Sequence, residues 1–167
     1  MSTVLVRSAT LDDAAQLADI YNHYVANTVI TFEEQAVSTG EMSSRMADVQ
    51  GHGLPWLVAE QEGAIVGYSY ASKWKARSAY RHSVETTIYL QHGFEGRGIG
   101  KALYAALLPI LRGKGIHAVI GGAALPNPAS VALHEALGFE QVATFRQVGF
   151  KLGRWVDVAY WQLILGS

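Results

Sequence analysis

Val84-Glu85-Thr86-Thr87-Ile88-Tyr89-Leu90-Gln91-His92-Gly93-Phe94-Glu95-Gly96-Arg97-Gly98-Ile99-Gly100-Lys101-Ala102-Leu103-Tyr104 is the stretch whose reading decides the fold. Its first part reads as a strand: Val84, Thr86, Ile88 and Leu90 share one parity, and Thr, Ile, Tyr and Val suit a pleated surface. Its last part opens a helix, with Ile99, Leu103, Leu107 and Ile110 on one apolar stripe. Between them lies Gly96-Arg97-Gly98-Ile99-Gly100. Glycines let the chain turn sharply and bring backbone N–H groups close to an anion. A helix starting near Gly98 adds its positive end and its free N–H donors. On the loop alone, a pyrophosphate cradle and a simple tight turn from strand to helix are equally good readings. A Walker loop would need Ser or Thr after Gly100-Lys101, where Ala102 stands, and the alternating glycines do not match G-x-G-x-x-G.

Length and composition narrow the class. The chain has 167 residues, enough for one domain with a sizeable core. Half of the residues are hydrophobic and 16% are charged, which fits a globular protein. With a net charge of −1, no global field attracts nucleic acid or an anionic membrane. The chain contains no cysteine, which excludes disulfides, thiolate catalysis and Cys-based zinc sites. The histidines show no metal-ligand spacing with carboxylates, so no metal is expected. No apolar run approaches ~20 residues and no signal peptide is evident, so the expectation is a soluble cytoplasmic protein.

Outside the central stretch, Thr3 to Ala9 alternates as a strand. A helix capped by Thr10 then runs to about Asn27, with Asp12 and Asp13 in its first turn. Thr28 to Glu34, including Phe32, reads either as a core-capping loop or as a wall of a substrate pocket. A second helix covers Thr39 to about Gln50. Strands over Pro55–Gln61 and Ala64–Lys73 flank the hairpin signal Glu62-Gly63. The helix after the glycine loop contains Pro109, where a kink or a lost hydrogen bond is expected. A strand over His117–Ala123, a short helix opened by Asn127-Pro128 and two closing strands, Phe139–Phe150 and Trp155–Leu165, complete the chain. The order β-α-α-β-β-β-α-β-α-β-β implies a mixed α/β sheet of about seven strands with four helices.

The Arg97-Gly98-Ile99-Gly100 loop resembles the coenzyme A loop of the GNAT superfamily of N-acetyltransferases. That family's signature is Gln or Arg, two residues, Gly, one residue, then Gly or Ala, and Glu95 departs from it at the first position. Asn127 through Phe139 is similar to the family's second signature, with His134 where many members have Tyr. The resemblance extends over nearly the whole chain and implies the GNAT acyl-CoA N-acyltransferase fold with acetyl-CoA as donor. Trp74-Lys75-Ala76-Arg77, Ala79-Tyr80, Glu85, Leu133 to Gly138, Val148 to Lys151 and Trp161-Gln162-Leu163 narrow it to the phosphinothricin and methionine sulfoximine N-acetyltransferases. That branch implies acetylation of the α-amino group of phosphinothricin, methionine sulfoximine or methionine sulfone, and it implies a homodimer.

The resemblance also implies roles. Gly96, Arg97, Gly98, Ile99, Gly100 and Lys101 would hold the pyrophosphate, with Arg97 replacing the charge that Glu95 removes. Ile88, Tyr89 and Leu90 would pair with the pantetheine arm, with the Leu90 N–H facing the thioester oxygen. Asn127 would bond the same arm, cap the helix, or do both. Glu85 is the candidate general base, since a carboxylate facing an apolar pocket has a raised pKa; its alternative is a surface carboxylate. His134 would protonate the leaving thiolate, or is a histidine bonded into helix packing. Arg81, with Arg77 or Lys75, can hold a substrate carboxylate, and Trp74, Ala76, Tyr80 and Phe32 can wall the stem. Trp155 and Trp161 read as core or dimer-interface residues. Two other functions compete. A protein or peptide N-acetyltransferase needs an open groove, whereas Trp74–Arg81 reads as a cover over a small pocket. A non-catalytic coenzyme A-binding module needs no base near the thioester.

Overall fold

A computed structural model describes residues 3–166. Strand β1 (Leu5–Ser8) leads through a 3-10 turn (Leu11–Asp13) into α1 (Ala14–Asn27), followed by α2 (Thr39–Gly51). Next come β2 (Trp56–Gln61), β3 (Ala64–Lys73), a 3-10 turn (Ser78–Tyr80) and β4 (Ser83–Leu90). The chain closes with α3 (Ile99–Gly113), β5 (Ala118–Ala124), α4 (Pro128–Ala136), β6 (Glu140–Lys151) and β7 (Arg154–Ile164). The strands form a single sheet in the order β1-β2-β3-β4-β5-β7-β6. All neighbours are antiparallel except β4 and β5, which run parallel. No helix among the described residues is long and apolar enough to cross a membrane.

A core lies on each face of the sheet. Leu17, Ile20, Tyr21 and Tyr24 of α1 and Met42, Met46 and Val49 of α2 pack on Trp56, Val58 and Tyr68. Leu103, Tyr104, Leu107 and Leu111 of α3 pack on Val84, Val119 and Trp161 of the other face. The parity of β4 divides between them: Val84 and Thr86 are buried toward α3, while Tyr89 packs against the α1–α2 core. Ile110 departs from expectation at 36% exposure. Successive steps of 3.6 residues rotate the stripe, and Leu111, four residues after Leu107, takes the buried place.

Local chemistry sets the ends of the elements. Asp13 accepts from the Thr10 N–H (2.8 Å) and from both terminal nitrogens of Arg7 (2.8 Å each), which joins β1 to the entry of α1. The Arg7 guanidinium holds the Asp13 carboxyl below the usual carboxylate range, and Arg7 also donates to Glu60 on β2 (2.6 Å). Ser38 caps α2 by accepting from the Glu41 N–H (3.0 Å). Trp155, at 63% exposure, lies on the open face of the last hairpin, whereas Trp161 is in the core at 1%.

Candidate active site

The site begins where two strands stop pairing. β4 and β5 are parallel from Ser83–Ala118 to Thr86–Gly121, and there the pairing ends while β4 continues to Leu90. The Gln91 N–H donates to the Val66 carbonyl (2.8 Å), so Leu90 and Gly67 face each other without bonding. By alternation Ile88 and Thr86 are also unbonded to β3, and these residues turn their N–H and C=O groups toward β5. Beyond Thr86 no β5 residue is paired with them. The Tyr24 hydroxyl donates to the Leu90 carbonyl, leaving the N–H groups of Ile88 and Leu90 and the Ile88 carbonyl facing the gap. Burial and the nearby Glu95 push the Tyr24 hydroxyl up to about 12.

Two cavities meet along this edge. The first, of about 500 Å³, runs from Ile88, Tyr89 and Leu90 along Gly96, Gly98, Ile99, Gly100 and Lys101. Its far wall is Asn127, Ala129, Ser130, Ala132, Leu133 and Ala136. Gly98 precedes α3 with φ 82°, a left-handed conformation that a side chain strains, and a Cβ there would meet no atom within 4 Å. The cradle is therefore open, and its fit to a pyrophosphate is that of free N–H donors at a helix start. Arg97 does not line this cavity; its guanidinium lies over the Phe94 ring at 4.4 Å. Glu95 does line it, with Oε2 accepting from the Gly93 N–H (3.0 Å) and Oε1 3.5 Å from the Tyr24 hydroxyl. Asn127 caps α4 by accepting from the Ser130 N–H (3.2 Å) and still borders both cavities.

The second cavity, of about 510 Å³, shares Ile30, Ile88, Tyr89, Asn127 and Ser130 with the first. Glu85 stands in it, half-buried, and burial raises its carboxyl above the usual range while the Lys75 charge opposes the rise. The remaining walls are Thr86 and Thr87 of β4, Thr31 and Phe32 from the loop after α1, Gly122 to Ala124 of β5, His134 of α4, Phe145 and Val148 of β6, and Val158 and Tyr160 of β7. Phe32 is therefore on the pocket wall, its ring lying against Gly149, where any Cβ would collide with it. The Lys151 ammonium, 3% exposed, holds the same loop by donating to the carbonyls of Thr31 (2.8 Å) and Tyr24 (3.4 Å).

The segment expected to cover this pocket lies elsewhere. Trp74, Lys75, Ala76, Arg77, Tyr80 and Arg81 are not on the cavity wall of a single chain. Their loop is closed by the Trp74 N–H on the Ser83 carbonyl (3.4 Å) and folds as a 3-10 turn, with Arg81 donating back to the Ser78 carbonyl (3.0 Å). Trp74 reaches the rim, its ring edge-on to Tyr160 with centroids 6.0 Å apart, and Lys75 lies 4.9 Å over the Trp74 ring.

His134 is 2% exposed. Its Nδ1–H donates to the Ser130 carbonyl (2.7 Å) and lies 3.4 Å from the Ser130 hydroxyl. Nε2 is thus an acceptor, to which the Tyr104 O–H donates (3.0 Å), while Tyr104 accepts from Thr86 (2.9 Å). Burial lowers the imidazole pKa, which keeps the ring neutral, and it pushes Tyr104 up to about 12. Room for the ring comes from Gly121, where a Cβ would lie 2.6 Å from Nε2. Sequence reading missed Tyr104; its signal was Thr86, a polar residue on the apolar parity of β4. Among the described residues no group of three metal-ligating side chains converges.

A sequence model of the acetyltransferase (GNAT) domain matches residues 6–160. The chain belongs to the GNAT acetyltransferase family. A phosphinothricin N-acetyltransferase of Streptomyces viridochromogenes is 41% identical over 159 residues, covering 95% of this chain and 86% of that one. An L-methionine sulfoximine/L-methionine sulfone acetyltransferase of Salmonella typhimurium is 34% identical over 160 residues, covering 96% and 94%. The crystal structure of a GNAT superfamily phosphinothricin acetyltransferase from Sinorhizobium meliloti in complex with acetyl-CoA has a TM-score of 0.94 and 42% identity, covering 98% and 89%. As a member of this family, the acetyltransferase uses acetyl-CoA. Gly98→Val should keep the circular dichroism of the parent and lose at least tenfold in acetyl-CoA affinity by calorimetric titration; an unchanged dissociation constant would sink the cradle assignment.

Proposed function

We propose that this acetyltransferase moves an acetyl group from acetyl-CoA to the α-amino group of a small amino acid of the phosphinothricin, methionine sulfoximine or methionine sulfone type. The observation that carries the reading is Glu85, a half-buried carboxyl with raised pKa in a cavity continuous with the one along the glycine loop. A carboxylate so placed argues against a module that only binds coenzyme A. At about 510 Å³ the cavity has room for a small amino acid acceptor beside Glu85. Two relatives are named for amino acid acceptors of this kind.

Acetyl-CoA supplies the acetyl thioester. The N–H groups of the Gly96–Lys101 loop would hold its pyrophosphate, and the free edge of Ile88 and Leu90, with Asn127, its pantetheine arm. The Leu90 N–H is available to the thioester oxygen, where a fixed donor stabilises developing negative charge. Glu85 accepts the proton that the substrate ammonium must lose before its nitrogen can attack. His134 fixes Ser130 through its carbonyl, and the Ser130 hydroxyl, at the mouth common to both cavities, is assigned the relay that returns a proton from solvent to the leaving thiolate, balancing the one Glu85 takes from the ammonium.

Glu85→Gln keeps size and hydrogen bonding but removes basicity. It should lower kcat on the order of 10²–10⁴-fold with acetyl-CoA affinity retained, and rising pH should partly rescue it. In the parent, activity should fall as pH drops through the raised Glu85 value, so the acidic limb lies above the ordinary carboxylate value of 4.5. Wild-type kcat in the variant at neutral pH would remove Glu85 from the mechanism.

Lys75 is assigned the substrate carboxylate from the rim, where it lies over the Trp74 ring that meets Tyr160 of the cavity wall, whereas Arg81 is turned onto its own loop. Lys75→Ala should raise KM for the amino acid by about tenfold or more and Arg81→Ala by less. The reverse order in steady-state kinetics would return the role to Arg81.

The working form is proposed to be a homodimer. Phe150 and Trp155 pair on one face of the last hairpin, ring centroids 4.9 Å apart and 55% and 63% exposed, and Phe145 and Val148, 51% and 58% exposed, wall the acceptor cavity. Sedimentation velocity should give twice the chain mass; a monomer at micromolar concentration would refute it.

A further inference from the structure

Tyr160 of β7 stands on the wall of the acceptor cavity, half-buried, and among the described residues its hydroxyl has no hydrogen-bond partner. The threonine and serine hydroxyls of the same wall are engaged. Thr86 bonds to Tyr104 (2.9 Å), Thr31 to Tyr21 (2.7 Å) and Thr87 to Tyr70, and Ser130 lies 3.4 Å from His134 Nδ1. We propose that the Tyr160 hydroxyl donates to the α-carboxylate of the acceptor, and so selects an amino acid over a simple amine. This rests on the amino acid reading of the cavity and adds a residue that recognises the carboxylate.

The sheet brings this hydroxyl toward Glu85. Residues paired across neighbouring strands share a face, and so do residues two apart on one strand. Glu85 pairs with Ile120, Gly122 is two residues further along β5, and Gly122 pairs with Tyr160. Glu85 and Tyr160 therefore stand on one face with β5 between them, two strand spacings or roughly 10 Å apart. Gly122 leaves that interval clear. A Cβ there would lie 2.9 Å from Cε1 and 3.2 Å from Cδ1 of Tyr160, so the phenol ring occupies the space over β5. The amine nitrogen and the carboxylate carbon of an amino acid are two bonds, about 2.5 Å, apart. With the amine at Glu85, a carboxylate turned toward β7 lies over β5 and meets the phenol.

The chemistry of the donor suits this partner. Burial and the Glu85 charge both push the Tyr160 hydroxyl up, so it keeps its proton through neutral pH. A carboxylate brought beside Glu85 meets a like charge and needs donors to offset it. Tyr160 supplies one without placing another full charge in the cavity, and Lys75, over the Trp74 ring, supplies its charge from the rim. The rings of Trp74 and Phe145 both meet Tyr160 edge-on, with centroids 6.0 and 5.9 Å away, which fixes the phenol before the acceptor arrives.

A cycle that removes the hydroxyl from the enzyme and the carboxylate from the acceptor tests the assignment. Steady-state kinetics would compare wild type and Tyr160→Phe, each with methionine sulfone and with 3-(methylsulfonyl)propylamine, the same molecule without its carboxylate. Tyr160→Phe should raise KM for methionine sulfone about tenfold or more and hold kcat within about twofold. The KM of the amine, or its inhibition constant against methionine sulfone where its turnover is slow, should stay within about twofold. The acidic limb set by Glu85 should stay in place. No change with methionine sulfone, or an equal loss for the amino acid and the amine, would overturn the assignment. If methionine sulfone is not acetylated by wild-type enzyme that binds acetyl-CoA in a calorimeter, the amino acid reading itself falls, and the role of Tyr160 with it.

Discussion

The rest of the structure depends on the point where β4 and β5 cease to pair, after Thr86 and Gly121. A buried strand edge is normally satisfied by its neighbour, and here backbone groups of Ile88 and Leu90 face a gap instead. The gap is kept open from both sides. β3 holds β4 through Leu90, and β7 holds β5 through Ala124. The same edge borders both large cavities, so one interruption in the sheet makes a binding edge and brings Glu85 within reach of it.

The walls of the gap are held by buried polar contacts. Thr86, Tyr104 and His134 form a hydrogen-bonded row that links β4, α3 and α4, and His134 in turn grips Ser130. On the other side, Lys151 holds the loop after α1 through backbone carbonyls. Tyr21 bonds to Thr31 (2.7 Å) and to Glu33, and Arg45 pairs with Glu33. Such contacts fix position because breaking any one leaves a buried polar group unpaired. Two close approaches make the arrangement possible: Gly121 clears space for the His134 ring and Gly149 for Phe32.

Electrostatics at the site are local. A chain of net charge −1 has no strong overall field, yet Glu85 and His134 both have shifted pKa values, and in both burial is the larger cause. Both shifts favour the neutral form, in directions set by chemistry: up for the carboxyl, down for the imidazole. Glu95 adds a carboxylate to the cavity along the glycine loop, where its Gly93 contact stiffens the turn.

The elements were legible in the sequence because they rest on local rules. Alternation marked β4, the period of α3 marked its buried stripe apart from Ile110, and Glu62-Gly63 and Asn127-Pro128 marked a turn and a helix start. The places of the glycine loop and of Glu85 along the two large cavities were legible too, because position along one strand and its following helix orders them. Tertiary structure alone decided which residues from distant parts of the chain share a wall. Phe145, Val148, Val158 and Tyr160 joined the cavity around Glu85, while the Trp74–Arg81 segment, close to Glu85 in sequence, folded onto itself at the rim. The reason is physical: side-chain parity is a property of one strand, but which strands and loops meet across a gap is set by sheet order and by how two cores pack on it.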